Sequence, residues 1–200
     1  MFMKFIIPIL LLFIFVSCDI KPKIESQVEY KTHNLSFFDG SVQLPKEYKL
    51  IKAEELIKKY ESMNLGTSQE VQYLKSVESN SYASVIFYDT TNFINTFIFQ
   101  EGEHVIIDKI SAQLYLGMIE KDLQNMWLQN DISYERIKSK FYNKPNIQII
   151  TIQYKVSKNE ISKYISQYII SSNSKTMAVT ITNLSNLDFG DIIKSIKIKN

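Results

Sequence analysis

The sequence predicts an α+β fold, an antiparallel sheet meander flanked by helices, on the strength of three features. Four strand-like runs follow one another near the carboxyl end, and the turns between them are too short for parallel crossovers. Ahead of them, residues 108–129 repeat apolar side chains at helical spacing. A short amphipathic segment closes the chain and predicts a final helix. These features indicate one domain over residues 33–200.

The composition is that of a chain that folds, since 45% of its residues are hydrophobic and it contains only 5 glycines and 4 prolines. This excludes a disordered tail and a collagen-like repeat. The formal charge of +2, from 23 basic and 21 acidic residues, gives no reason to expect nucleic acid as a partner.

The amino-terminal segment predicts a cleaved secretory signal peptide over residues 1–17. Lys4 is followed by an apolar run from Phe5 to Val16, and Ser17 is a small residue. The run is much shorter than the roughly 20 residues that a transmembrane helix needs. Residues 18–32 predict the lipidated cysteine and a flexible tether, since Asp19 to Thr32 show no sustained period. Extended, these 14 residues reach at most about 45 Å, enough to lift the folded part off the headgroups.

The tetrapeptide FVSC at residues 15–18 resembles the lipobox of bacterial lipoproteins, and Cys18 is the only cysteine of the chain. The resemblance implies a mature protein that begins at acylated Cys18 and is anchored on the extracytoplasmic side of a membrane in the bacterial cell envelope. Two or three acyl chains, at about 0.8 kcal/mol per buried methylene, hold a protein on a bilayer for long times. The alternative is a free, buried cysteine beside a signal that is cut elsewhere.

The first half of the domain predicts a hairpin, a helix and two strands. LSFF and SVQL flank the turn pair Asp39-Gly40, which favours two short antiparallel strands. The segment AEELIKKYESM then places its apolar side chains on one helical face. Residues 83–88 and 96–100 are β-branched and aromatic runs that predict buried strands.

The second half predicts one long helix, the meander and a closing helix. Asp108 is placed to cap the long helix by accepting backbone N–H groups. Its apolar positions predict the buried face: Ile110, Leu114, Met118, Ile119, Leu123, Met126 and Trp127. The four strands are predicted over residues 133–142, 147–156, 161–171 and 175–182. The final helix, about residues 188–195, is expected to bury Phe189, Ile192, Ile193 and Ile196.

This order of elements resembles the PsbP-like fold, which also occurs in bacterial lipoproteins such as the DcrB-like ones. The resemblance is carried by FFDGSVQLPKEYKLI at residues 37–51 and MAVTITNLSNLDFGDIIKSIKI at residues 177–198. The family uses its fold to dock onto partners. It therefore implies a non-catalytic binding or assembly module with an envelope protein as partner, and a fold alone does not fix an activity.

No catalytic motif is found, since no pair of glycines encloses a serine as GxSxG requires. Neither an enzyme activity nor a cofactor is therefore expected. Glu101, Glu103, His104 and Asp108 are the one cluster that could hold a divalent metal, which would suit a membrane-tethered hydrolase or metal-dependent enzyme. The alternative is a hydrated loop in which Asp108 caps the helix and the others face water. His33, at the tether boundary, is expected to be a solvated loop residue.

Two further interpretations concern the meander. Its five tyrosines could line one open sheet face as a contact surface or could belong to the core, which we expect for most of them: Tyr134, Tyr142, Tyr154, Tyr164 and Tyr168. A small-ligand carrier is also an option, with its cavity between the sheet and the long helix.

Overall fold

The computed structural model describes residues 28–63, 68–128, 131–158, 161–172 and 174–198. The predicted signal peptide, Cys18 and most of the predicted tether lie outside the described residues. The first strand begins at Tyr30, so the last three residues predicted as tether belong to the folded domain. Within the described part of the chain, no helix is both long enough and apolar enough to cross a membrane.

The strands form two antiparallel sheets. They are β1 (Tyr30–Leu35), β2 (Gly40–Pro45), β3 (Tyr48–Ile51), β4 (Ser84–Asp89), β5 (Thr96–Gly102), β6 (Ser133–Lys144), β7 (Ile147–Lys158), β8 (Ile161–Ser172), β9 (Lys175–Asn183) and β10 (Lys197–Ile198). The central sheet has seven strands in the order β3-β4-β5-β9-β8-β7-β6. The predicted meander is confirmed, since β6 to β9 pair with one another in chain order. The smaller sheet has the order β1-β2-β10.

The helices are α1 (Ala53–Met63), α2 (Ser68–Ser79), α3 (Lys109–Leu128) and α4 (Gly190–Lys194). The sequence predicts α1, α3 and α4, and the structure confirms them. It does not predict α2, whose segment SQEVQYLKSVES is mostly polar. Helix α2 packs against α1 and the sheet. Only two of its apolar side chains, Leu74 and Val77, are buried in the core.

One face of the central sheet carries the three longer helices. The pair α1 and α2 covers β3, β4 and β5, where isoleucines of the sheet pack against buried residues of the helices: Ile51, Ile86 and Ile98 with Leu56, Ile57, Tyr60, Leu74 and Val77. Helix α3 covers β6 and β7 through a second group of apolar side chains, led by Trp127, Ile152 and Tyr154. Both helical layers thus sit on the side of the sheet that β7 lines with Ile150, Ile152, Tyr154 and Val156.

The opposite face carries the small sheet and α4, which bury the largest core of the molecule. This core joins residues of the small sheet and α4 to aromatic and aliphatic residues of the central strands: Leu35, Phe38, Val42, Leu44, Tyr48, Phe87, Phe97, Phe99, Ile149, Tyr168, Ile170, Met177, Val179, Ile181, Phe189, Ile193 and Ile196. Of the four residues expected to be buried at the closing helix, three are buried and Ile192 is partly buried.

The predicted hairpin is confirmed, although its first strand lies earlier in the chain than the pattern indicates. Strand β1 pairs with β2 from Tyr30 to Leu35, and Ser36–Phe38 form one 3-10 turn. Asp39 closes the turn with a left-handed φ of 49°, a conformation that aspartate tolerates better than most residues. Gly40 follows because a Cβ there would lie 2.8 Å from the carbonyl oxygen of Lys197, so β10 could not pair with β2.

The expectation that His33 is a solvated loop residue is wrong. It lies in β1 opposite Val42, and its ring meets the ring of Phe87 edge-on at 4.5 Å between centroids. Burial lowers the pKa of this imidazole, and the nearby Lys31 lowers it further. The sequence could not show this, because Phe87 belongs to the other sheet. The residues near His33 in the sequence give no sign that the two rings come into contact.

Candidate functional site

Three of the four residues considered for a metal site have separate hydrogen-bond partners. The carboxylate of Glu101 accepts the backbone N–H of Ala83 at 3.3 Å, and that of Glu103 accepts the hydroxyl of Tyr82 at 2.9 Å. His104 is exposed. Among the described residues, no three His, Cys, Asp or Glu side chains come together in a group that could hold a metal ion. The described structure therefore does not bring Glu101, Glu103, His104 and Asp108 together as the metal-dependent alternative requires.

Asp108 instead caps α3, as the sequence predicts. Its Oδ1 accepts the backbone N–H of Ser111 at 2.7 Å, and the Ser111 hydroxyl accepts the backbone N–H of Asp108 at 2.8 Å. This reciprocal arrangement satisfies two N–H groups that the first turn of a helix leaves free. The bond from the Ser111 backbone, followed by that from its hydroxyl, lowers the pKa of the Asp108 carboxyl.

The space between the sheet and α3 is filled by side chains, which argues against a ligand carrier. Trp127 and Tyr154 are each 1% exposed, and their rings meet edge-on at 4.8 Å between centroids. Ile107, Ala112 and Ile150 close the other half of the interface. Burial raises the pKa of the Tyr154 hydroxyl to about 12, so it stays neutral under ordinary conditions.

The tyrosines of the meander do not form one stripe on an open face. Tyr134 and Tyr154 pack with Trp127 beneath α3, whereas Tyr168 and Tyr142 pack into the core on the other side of the sheet. Tyr154 and Tyr168 are buried, as expected of core residues, and the other three are half-buried. The contact-surface alternative for these tyrosines therefore has no support in the fold.

The strongest candidate for a functional surface is an apolar strip on α3 and in the loop just before it, which we call the α3 ridge. It consists of Ile106, Ile110, Leu114 and Met118, which are 82%, 71%, 66% and 61% exposed. A spacing of four residues keeps the last three on one face of the helix. The buried face of α3 is built by other residues: Ala112, Leu116, Ile119, Leu123 and Trp127.

The prediction that Ile110, Leu114 and Met118 face the core is wrong for this reason. Helix α3 has two apolar stripes, and only one of them can face the sheet. The sequence contains a signal for the second stripe, because a surface helix needs only one apolar face and α3 has apolar residues on both sides. Periodicity alone could not show which stripe the sheet would cover.

The α3 ridge is bordered by a glycine and by side chains whose charges nearly cancel. Gly117 lies beside Leu114 in the middle of the helix, and a Cβ at this position would meet no described atom within 4 Å. The charges along the helix balance, since Lys109 lies at its start and Lys121 lies between Glu120 and Asp122 in the sequence. An apolar strip with so little net charge is a poor surface for anionic lipid headgroups and a good one for another protein.

The ridge starts at the end of the central sheet that is far from the start of the described chain. The N–H of Val105 donates to Thr176 Oγ1 at 3.0 Å, which places Ile106 beside the turn between β8 and β9. Glu29 instead contacts Lys46, and the following Glu47 accepts the N–H of Thr90 at 3.1 Å in the turn between β4 and β5. These two turns lie at opposite ends of the sheet, because Gly102 pairs with Thr176 and Thr96 with Thr182.

Comparison with known proteins identifies the fold. No family model matches the sequence, and no curated protein does. The structure is similar to the solution structure of cyanobacterial PsbP (CyanoP) from Synechocystis sp. PCC 6803, with a TM-score of 0.57 and 10% sequence identity, covering 86% of this chain and 94% of that one. The chain thus has the PsbP-like α+β fold that the sequence predicts.

A second solved structure is similar over most of its length. It is the immunity protein TplEi of T6SS from Pseudomonas aeruginosa, complexed with the "L" peptide. The TM-score is 0.50 at 9% sequence identity, and the match covers 84% of this chain and 98% of that one. At these identities, both likenesses show the fold alone.

Proposed function

We propose that this chain is a membrane-anchored bacterial lipoprotein whose PsbP-like domain acts as a non-catalytic protein-binding or assembly module in the cell envelope. The single observation that carries the proposal is the α3 ridge. Four large apolar side chains are exposed to water in one strip. Covering such a strip with a partner lowers the free energy of the system. Three of these residues, Ile110, Leu114 and Met118, lie on a regular helix that packs on the sheet, so this part of the strip is already ordered before a partner arrives.

The fold supports this proposal at a coarser level. The immunity protein of the same fold was solved with a peptide bound to it. Binding a protein segment therefore suits the architecture, and the metal site that the alternative needs is not formed by Glu101, Glu103, His104 and Asp108. The partner is expected to be another envelope protein.

The anchor rests on the sequence of residues 15–18. Acylation of Cys18 would hold the module at the bilayer, and residues 19–27 would connect it to the first described residues. Nine residues reach at most about 32 Å when extended. The module would therefore meet partners that lie in the same membrane or close to its surface.

The test is a quantitative capture from the host's own membranes with the full-length chain in three forms: wild type, Leu114→Glu and Leu50→Glu. Leu50 is a matched control because it is a leucine on another face with a nearly equal exposed fraction, 67% against 66%. We expect proteins that accompany the wild type and the Leu50→Glu form to be lost from the Leu114→Glu form. Equal capture by all three forms would contradict a binding role for the α3 ridge.

A further inference from the structure

We propose that protonation of His33 loosens the pairing of β1 with β2, so that residues 30–34 open from the domain more often in acid while the rest stays folded. The Nε2 atom of His33 is buried and makes no hydrogen bond with any described residue. A neutral imidazole tolerates this, because it can carry its proton on Nδ1 and leave Nε2 without one. A second proton has to go to Nε2, where the buried N–H would find no acceptor among the described residues.

The neighbours of His33 on the paired strand and on the facing sheet are apolar. Val42 lies opposite to it on β2, and its ring meets the ring of Phe87 on β4. These two neighbours are 1% and 2% exposed, and β2 contains no ionisable residue. On β1 itself, Lys31 is two residues away on the same side of the strand. Burial lowers the pKa of His33 most, and the Lys31 ammonium lowers it further.

The ionisable groups of β3 and β4 on the face of Phe87 do not favour a charged histidine. They are Tyr48 and Asp89, which lie opposite each other in the pairing of the two strands. The carboxylate of Asp89 is held by hydrogen bonds within its own turn. Burial raises the pKa of the Tyr48 hydroxyl, so this group is neutral. The pKa of His33 is raised by neither of them.

Strand β1 is placed to open locally. It lies at the edge of the small sheet and pairs with β2 alone, whereas β2 keeps β10 as its other neighbour. From Tyr30 to Asn34, every residue except His33 is exposed. Leu35 is 0% exposed and marks the point where opening would stop. Few side-chain contacts therefore hold residues 30–34, which favours local opening over unfolding of the whole domain.

The pH range of the effect follows from the direction of the pKa shift. An unfolded histidine has a pKa near 6.5, and that of His33 in the folded chain is lower. The contribution of neutral His33 to the pairing is therefore complete above about pH 6.5 and is lost as the pH falls from there through the lowered pKa. Glu29 and Lys46 also hold the start of β1, at 2.8 Å. Because Lys46 lowers the pKa of the Glu29 carboxyl, this ion pair is lost only in stronger acid.

Opening lengthens the chain that precedes the domain. Residues 30–34 add at most about 18 Å when extended. In a chain anchored at Cys18, this extension would let the domain lie farther from the membrane. The opening itself needs neither the anchor nor a partner, so its test does not depend on the proposed function.

The experiment measures amide hydrogen exchange of the full-length chain in detergent at about pH 7.5 and about pH 5, corrected for the intrinsic pH dependence of exchange. The forms compared are wild type, His33→Phe and His104→Gln. His104 is a matched control because it is exposed and is the only other histidine of the chain.

In the wild type and in His104→Gln, we expect the protection of residues 30–34 to fall by about tenfold on going to the lower pH. The fall cannot exceed about thirtyfold, because the histidine of the open strand titrates near pH 6.5. In His33→Phe, which has no imidazole at this position, we expect a fall of less than about twofold.

Unchanged protection of residues 30–34 in the wild type would overturn the proposal. An equal fall in His33→Phe would overturn it too, since the acid sensitivity would then belong to other groups such as Glu29. So would an equal fall in β8 and β9, which would show unfolding of the whole domain. If His33→Phe does not fold, NMR titration of the His33 ring in the wild type decides: a pKa below that of an ordinary histidine supports the proposal, and one at or above it contradicts it.

Discussion

At the scale of single residues, the ion pair between Lys163 and Glu70 connects β8 to α2. The Lys163 ammonium lies 2.6 and 2.7 Å from the two carboxylate oxygens of Glu70, and Lys163 is only 8% exposed. Removing one partner of an ion pair is costly when the charge left behind is buried, and it costs less when the remaining charge is nearer the solvent.

We therefore predict unequal effects for the two partners of this pair. Glu70→Gln should lower the free energy of unfolding by about 2–3 kcal/mol, because Lys163 remains buried without its carboxylate. Lys163→Met should cost about 1 kcal/mol or less, since Glu70 is nearer the solvent. Urea unfolding of both variants measures the difference. Equal losses would show that the ammonium of Lys163 is well hydrated despite its burial.

Asp89 predicts how stability responds to acid. Burial alone would raise the pKa of its carboxyl, but the hydroxyl and N–H of Thr91, at 2.6 and 2.8 Å, and the amide of Asn95 lower it by more. The folded state therefore favours the carboxylate. This contribution is complete above the ordinary aspartate pKa, near 4, and is lost as the pH falls through the lowered pKa of the folded protein.

The corresponding variant is Asp89→Asn. At pH 7 it should lower the free energy of unfolding by about 1–2 kcal/mol, through weaker hydrogen bonds in the turn between β4 and β5. The difference from the wild type should shrink when both are unfolded by urea at about pH 3, because the stability that the carboxylate contributes starts to be lost once the pH falls below the ordinary aspartate pKa. A difference that stays constant between the two pH values would rule out this role for the carboxylate.

At the scale of elements, Gly117 makes α3 less stable than it could be. Gly117→Ala should raise the free energy of unfolding by about 0.5–1 kcal/mol, because alanine loses less backbone entropy in a helix and the space for its Cβ is open. Thermal and urea unfolding of the domain in detergent, at low protein concentration, measure this gain. A loss of stability would mean that the Cβ meets a neighbour within the same chain.

Elements with a strong local pattern could be predicted from the sequence. The meander has long alternating strands and short turns, and α1 and α3 have helical spacing, so their physics is largely local. Strand β3 and helix α2 could not be predicted, because their few apolar residues become core residues only when α1, α2 and the sheet edge assemble. The small sheet depends in the same way on β10, two residues from the far end of the chain.

In the candidate site too, features set by local contacts could be predicted and features set by packing could not. The cap at Asp108 is a contact over three residues and was predicted correctly. The exposure of Ile110 and Leu114 depends on which stripe of α3 the sheet covers, and the other stripe packs there through contacts such as that between Trp127 and Tyr154. A one-dimensional pattern does not contain this information.

At the scale of the whole molecule, the anchor at Cys18 remains a prediction. We expect the wild-type chain from its host to begin at Cys18, to carry acyl chains on that residue and to sediment with membranes. Cys18→Ser should keep the amino-terminal segment uncut and lose the acyl mass, which mass spectrometry of the intact protein measures. A wild-type chain with an unmodified thiol at residue 18 would contradict the anchor.

The arrangement of the molecule links the anchor to the α3 ridge. The described chain starts at the end of the sheet near the turn between β4 and β5, and the ridge starts at the other end. The small sheet and α4 bury the largest core on one face of the central sheet. The α3 ridge is exposed on the opposite face, which carries the three longer helices. If Cys18 anchors the chain and the α3 ridge binds a protein, as we propose, this arrangement leaves the ridge open to neighbouring proteins.

The most direct measurement is site-specific photo-crosslinking from residue 114 in the native membranes, with residue 50 as the reference position. The photo-reactive residue replaces one exposed leucine at a time in the full-length chain. Our account predicts a discrete protein adduct from position 114 and background labelling from position 50. Lipid adducts alone, or equal labelling from both positions, would contradict the claim that the α3 ridge is a protein-binding surface.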